Sequence, residues 1–182
     1  MPVDLLPAEP VALVCAVMAD AETNLVHARD ALVEQLGPLY CQSPVYPFAF
    51  TSYYEAEMGA ELSKQLLCFS ERVDPAELPR IKRWTMELEK ELGREEGERI
   101  LRRVNIDPGL VSIESLVLAT TKYSGHRICI APSLYAEITL LYQKGRYAPL
   151  QWTYQDYQTE AVQQFLLEIR AWLMAGRRPR DF

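Results

Sequence analysis

The chain has 182 residues, of which 49% are hydrophobic and 24% charged, and a formal net charge of -6. A chain of that length suits one domain that buries roughly 70% of its unfolded surface, so it needs neither disulfide nor metal to fold. Its acidic balance argues against nucleic acid as a partner, because domains that bind a phosphate backbone concentrate basic charge.

Pro10 and Asp20 bound a continuous apolar run, Val11 to Ala19, which reads as a central strand buried on both faces. Asp20 is placed to cap a helix in which Leu25, Ala28, Leu32 and Leu36 recur at helical spacing, and Gly37 to end it. Pro38, Pro44 and Pro47 restrict the next stretch to short or edge strands. Thr51 to Gly59 reads as a loop or a single helical turn, and Lys64 to Val73 as a further strand.

Asp74-Pro75-Ala76-Glu77 is a helix start with proline at the first helical position. The helix that follows has the stripe Leu78, Ile81, Thr85, Leu88 and Leu92, with Lys82, Glu87, Glu89, Lys90 and Glu91 read as its solvated face. Arg102 to Ile106 is a returning strand. The order strand, helix, strand, strand, helix, strand predicts an α+β domain with a ferredoxin-like split βαβ core (βαββαβ) over about residues 11–107.

An extension over about residues 108–176 is expected to add a short helix at Ser112 to Thr120 and a hairpin from His126 to Ala131 and Tyr135 to Tyr142. A strand at Arg146 to Gln151 follows the Lys144-Gly145 turn, and a covering helix from Thr159 buries Val162, Phe165, Leu166, Ile169 and Leu173. Residues 177–182 read as a frayed tail, and no linker divides the chain. Cys15, Cys41, Cys68 and Cys129 lie too far apart for a zinc or dithiol motif and read as small buried hydrophobes. With no basic leader at Met1-Pro2-Val3-Asp4 and no apolar run long enough for a bilayer, a cytoplasmic location away from the membrane is expected.

Phe50 to Gly59, Arg103-Val104-Asn105-Ile106-Asp107-Pro108-Gly109, Leu116 to Lys122, His126-Arg127-Ile128, Ala136 to Leu140 and Trp152-Thr153-Tyr154-Gln155-Asp156-Tyr157 resemble an uncharacterised prokaryotic family. It is the domain-of-unknown-function family forty-four-sixteen, and the resemblance covers essentially the whole chain. Its members often carry a GTP-binding label, so the resemblance implies GTP binding. The residues carry no P-loop, since no glycine is followed by Lys-Ser or Lys-Thr, and no Asn-Lys-x-Asp guanine-reading motif.

The candidate chemistry gathers in three places. Asn105 and Asp107 sit before Pro108-Gly109, either as ligand contacts at a strand end or simply as turn residues. Asp107, His126 and Glu137 are candidate catalytic residues, able to act as acid and base or to hold a metal. A four-residue loop from Ala131 to Leu134 puts His126 opposite Thr139 and Glu137 opposite Ile128, whereas a one-residue slip sets Arg127 against Glu137 as an ion pair. Lys122 and Arg127 could hold an anion, or be ordinary exposed cations. Trp152 and Tyr154, with Tyr157, Tyr53 and Tyr54, suit a pocket rim or loop anchors, and Thr139 and Asp156 complete the candidate ligand contacts.

These residues favour a protein that binds or transforms a small molecule, with no cofactor or metal specified. The alternative is a non-catalytic interaction module that self-associates or binds a protein through its aromatic segments and sheet edge. An RNA-binding version of the fold is disfavoured because Leu66 to Ser70 lacks the aromatics of such a motif.

Overall fold

The computed structural model describes residues 7–51 and 53–176. The expected leader-free start at residues 1–4 and the tail at 177–182, with its arginines, lie outside the described residues. Among those described, nine strands form one antiparallel sheet. They are β1 (Val11–Ala19), β2 (Leu39–Gln42), β3 (Tyr46–Phe48), β4 (Leu62–Val73), β7 (Val104–Val111), β8 (Ser115–Thr120), β9 (Ile128–Ala131), β10 (Leu134–Gln143) and β11 (Arg146–Pro149). A separate hairpin pairs β5 (Arg94–Glu96) with β6 (Arg99–Leu101). The order across the large sheet is β11-β10-β8-β7-β1-β4-β2, with β3 on β4 and β9 on β10.

The alternation of β1 divides the core in two. Leu13, Cys15, Val17 and Ala19 pack with Leu25, Ala28 and Leu32 of α1 (Glu22–Leu36) and Leu78, Ile81 and Leu88 of α3 (Leu78–Glu91). Ala12, Val14 and Ala16 pack on the opposite face against Val162, Phe165, Leu166 and Ile169 of α4 (Glu160–Ala175). The sheet is thus a middle layer between helices, and a fully buried leucine such as Leu166 contributes about 2 kcal/mol by leaving water. Beyond the end of α4 the sheet is covered by the short α2 (Glu55–Met58), where Met18, Phe48, Met58 and Leu62 form a third cluster.

Several expectations need correction. Ser112 to Thr120 is not a helix: Ser115–Thr120 is strand β8, paired to both β7 and β10. Asn105 to Gly109 is not a turn, because β7 runs through Pro108 and Gly109 to Val111. Asp20 does not cap α1; it accepts from Asn24 Nδ2 and Arg103 Nε instead. Asp74 does accept from the Ala76 N–H, but it opens a 3-10 turn over Pro75–Glu77 that leads into α3. Lys82 and Glu89 are buried at 5% and 6% exposure, for they lie on the stripe with Leu78, Ile81, Thr85 and Leu88. Cys15 and Cys68 are buried as expected, but Cys41 is half-buried and Cys129 exposed.

Candidate functional site

The site originates in an unusual strand. β7 pairs with β1 along its whole length, from Ala19↔Val104 to Ala12↔Val111. On its other side it pairs with β8 only at Gly109, Leu110 and Val111. Strand alternation turns the polar groups of residues 106, 108 and 110 toward β8, and Pro108 has no N–H to offer there. The strands part at that point. Gly109 marks the last close approach, since a Cβ there would lie 2.7 Å from the Val117 carbonyl oxygen.

Side chains of α3 take the place of the missing strand. The Ile106 N–H donates to Glu89 Oε1 at 2.7 Å, and Lys82 Nζ donates to the Ile106 carbonyl at 2.9 Å. The burial of Lys82 and Glu89 therefore supplies both partners of the Ile106 backbone, because buried backbone groups need partners.

The parting of β7 and β8 opens a cleft of about 690 Å³. Its floor is a connected polar chain. Asp107 accepts from Lys82 Nζ at 3.0 Å and from Asn105 Nδ2 at 2.9 Å, and Asn105 in turn accepts from Arg102. Arg102 makes a forked contact with Glu57 and stands 3.7 Å from Glu89 Oε2. At the deepest end Lys64 and Asp156 form a buried ion pair at 2.5 Å, with the Lys64 ammonium over the Tyr157 ring.

The opposite wall comes from β10 and the β8–β9 connection. Glu137 Oε2 accepts from His126 Nε2 at 2.8 Å and from Arg127 Nε at 2.7 Å. His126 stacks on Trp152, and its Nδ1 meets Ser124 Oγ. Arg127 also reaches the Lys122 carbonyl and the Tyr154 hydroxyl. The hairpin begins in the four-residue-loop register, with Leu134 opposite Ala131, and shifts by one residue at Tyr135, so that Ala136 pairs with Ile128 and continuation of the shifted register sets Arg127 against Glu137. His126 still reaches Glu137 from the adjoining loop.

Burial and charge set the carboxylates apart. Burial is the largest influence on Asp107 and opposes its charge, yet Lys82 and Lys64 outweigh it and hold its carboxyl below the usual range. Glu89 goes the other way: burial outweighs Lys82 and the Ile106 N–H, and its carboxyl is raised to about 7. The Arg102 fork lowers Glu57.

Of the residues singled out in the sequence, Asn105, Asp107, Lys122, Arg127, Glu137, Trp152, Tyr154 and Asp156 line this cleft. His126 lies behind the wall, in contact with Glu137 and Trp152. Thr139 lies outside the cleft; it is fully buried, its hydroxyl donates to the Glu137 carbonyl and its own carbonyl accepts from Thr153. The three candidate catalytic residues thus fall into a His126–Glu137 pair and a separate Asp107 held by Lys82 and Asn105.

Sequence reasoning missed Lys64, Lys82, Glu89 and Arg102, which also line the cleft. For Lys82 and Glu89 a signal was present, since each stands four residues after a stripe position, Leu78 and Thr85. Lys64 and Arg102 carry no such mark. Among the described residues no group of His, Cys, Asp and Glu side chains is arranged to hold a metal ion, and no helix is long and apolar enough to cross a membrane.

Neither a curated protein nor a solved structure matches the chain. A family model does, over residues 9–172. The chain that builds this cleft therefore belongs to the family described as domain of unknown function (DUF4416).

Proposed function

We propose that the protein binds an anionic small molecule, a phosphorylated metabolite or nucleotide, in the cleft between β7 and β8, on a ferredoxin-like core. The cleft carries the reading. Five cationic side chains line it (Lys64, Lys82, Arg102, Lys122 and Arg127) against four carboxylates (Glu89, Asp107, Glu137 and Asp156). With the Glu89 carboxyl at about 7, the balance tilts further toward positive near neutral pH. Lys122 is the group best placed to meet an anion: among the described residues it has no carboxylate within ion-pair distance, and its ammonium lies 3.7 Å from the Tyr53 ring centre.

The core supports the fold assignment through the order β7-β1-β4-β2, antiparallel throughout, with α1 and α3 on one face. Asp107 and the His126–Glu137 pair are the groups we assign to proton transfer at a bound ligand. A reducing cytoplasm is the compartment that suits the four free thiols.

Thermal unfolding against nucleotides including GTP, phosphorylated metabolites and inorganic phosphate tests the proposal. A ligand at a hundred times its dissociation constant adds about 2.7 kcal/mol. A shift that Lys122→Ala abolishes supports the reading, and a panel without any shift sinks it. The alternative, a self-associating or protein-binding module, is favoured by the exposed Ile128 and Ile138 at 67% and 41%. Light scattering that shows concentration-dependent assembly, together with a flat ligand panel, would move the assignment there.

A further inference from the structure

We infer that the inner end of the cleft is a hydroxyl subsite, where Tyr157 and Asp107 hold a neutral hydroxyl of the ligand, so that the ligand is a phosphorylated polyol or sugar. The inference rests on the anion-binding reading above and names the class of molecule the same cleft takes.

Tyr157 is the observation that carries it. The residue lines the cleft yet is only 3% exposed, and its hydroxyl has no hydrogen-bond partner among the described residues. A buried hydroxyl left unpaired destabilises a fold, and phenylalanine would remove that penalty at the same size. Burial, then Asp156 and Asp107, push the Tyr157 phenol well above its usual value, so it remains a neutral donor.

The charges around it are balanced. Lys64 is paired with Asp156 and Lys82 with Asp107, so this end of the cleft has no excess cation to attract a phosphate. It has hydrogen-bonding capacity instead. The Asp107 carboxylate accepts from Lys82 and Asn105, which fills about half of its roughly four lone-pair positions. A hydroxyl is the group that donates to such a carboxylate while accepting from a phenol. Among the described residues the cleft cation without a carboxylate partner is Lys122, so a molecule with its phosphate toward Lys122 and its hydroxyls toward Tyr157 satisfies both ends.

Calorimetric binding to the full chain tests this with matched pairs: glycerol phosphate against propyl phosphate, and pentose phosphates against their deoxy analogues. The wild type is expected to prefer the hydroxylated member of at least one pair by about tenfold. The pair that shows the preference tells a polyol from a sugar. Tyr157→Phe should abolish that preference, bind the other member unchanged, and melt at the same temperature or higher without ligand. Equal binding of both members, or a preference that survives in Tyr157→Phe, overturns the subsite while leaving the anion reading intact. A lower melting point for the ligand-free variant also overturns it, because the hydroxyl would then serve the fold through a bound water. No binding of any phosphate defeats the anion reading itself, and the subsite with it.

Discussion

The two edges of β7 solve the same problem in different ways. Toward β1, every residue from Val104 to Val111 has a strand partner. Toward β8, pairing stops at Gly109, and Glu89 and Lys82 bond the Ile106 backbone in place of a strand. The first edge makes a sheet interior and the second makes a cleft. The same device appears at the sheet margin, where Gln163 of α4 accepts from the Tyr147 N–H and donates to its carbonyl, so that the outward backbone groups of Tyr147 in β11 are paired. A cleft can therefore arise from a pairing that is withheld inside a sheet, with buried polar side chains bonding the backbone in place of a strand.

The contrast can be broken most severely at Gly109. A β-carbon there meets Leu118 Cδ2 at 2.6 Å and the Val117 carbonyl at 2.7 Å, so Gly109→Val must push β8 away along the only stretch where it pairs with β7. We expect a loss of about 3 kcal/mol in urea unfolding. A loss below about 1 kcal/mol would mean that the β7–β8 contact is not the fixed point described above.

Glu89 sharpens the contrast through pH. Its folded value of about 7 lies above the ordinary carboxylate value of 4.5, so the folded protein retains a proton that the unfolded chain gives up between them. The stability this group contributes is full at the acid end of that window and is lost as pH rises through about 7. Asp107 and Glu57, with lowered values, act in the opposite sense and lose their contribution on acidification. Glu89→Gln should flatten the upper window, and the difference in stability between variant and wild type should change by about 2 kcal/mol across it. Parallel curves for the two proteins would contradict the placement of Glu89.

The smallest expected effect is at Pro108. Pro108→Ala restores an N–H on the side where β8 has left, inside a buried strand. An unpaired donor there should cost about 1 kcal/mol in denaturant unfolding. A gain in stability would show that the alanine variant closes the gap by pairing with β8.

The strands and helices that stand alone were legible in the sequence. Val11 to Ala19 announces a doubly buried strand by its unbroken apolar run, and α4 shows its buried face in Val162, Phe165, Leu166, Ile169 and Leu173. The errors share one cause, which is that local pattern does not report what lies beside an element. Leu116-Val117-Leu118-Ala119 is a short apolar run that suits a helix or a strand equally, and only its neighbours β7 and β10 decide. Asp107-Pro108-Gly109 looks like a turn, yet it lies within a strand because the edge that proline cannot serve is the one left open.

The candidate site was partly legible for the same reason. Asn105, Lys122, Glu137 and Trp152 each stood out as polar or aromatic residues in unpatterned or apolar surroundings. Lys82 and Glu89 did not, because charge on a helix is first read as a solvated face. Their burial follows from the need of Ile106 for a donor and an acceptor, which is a long-range fact about β7.

The most direct test of the account is a map of backbone amide shifts in solution as glycerol phosphate or a pentose phosphate is added. Binding in the cleft should concentrate the changes in three separated stretches that border it: Asn105 to Asp107, Thr120 to Arg127 and Trp152 to Tyr157. Changes confined to the exposed β9 strand around Ile128, or no change at concentrations that saturate other phosphate-binding proteins, would contradict it.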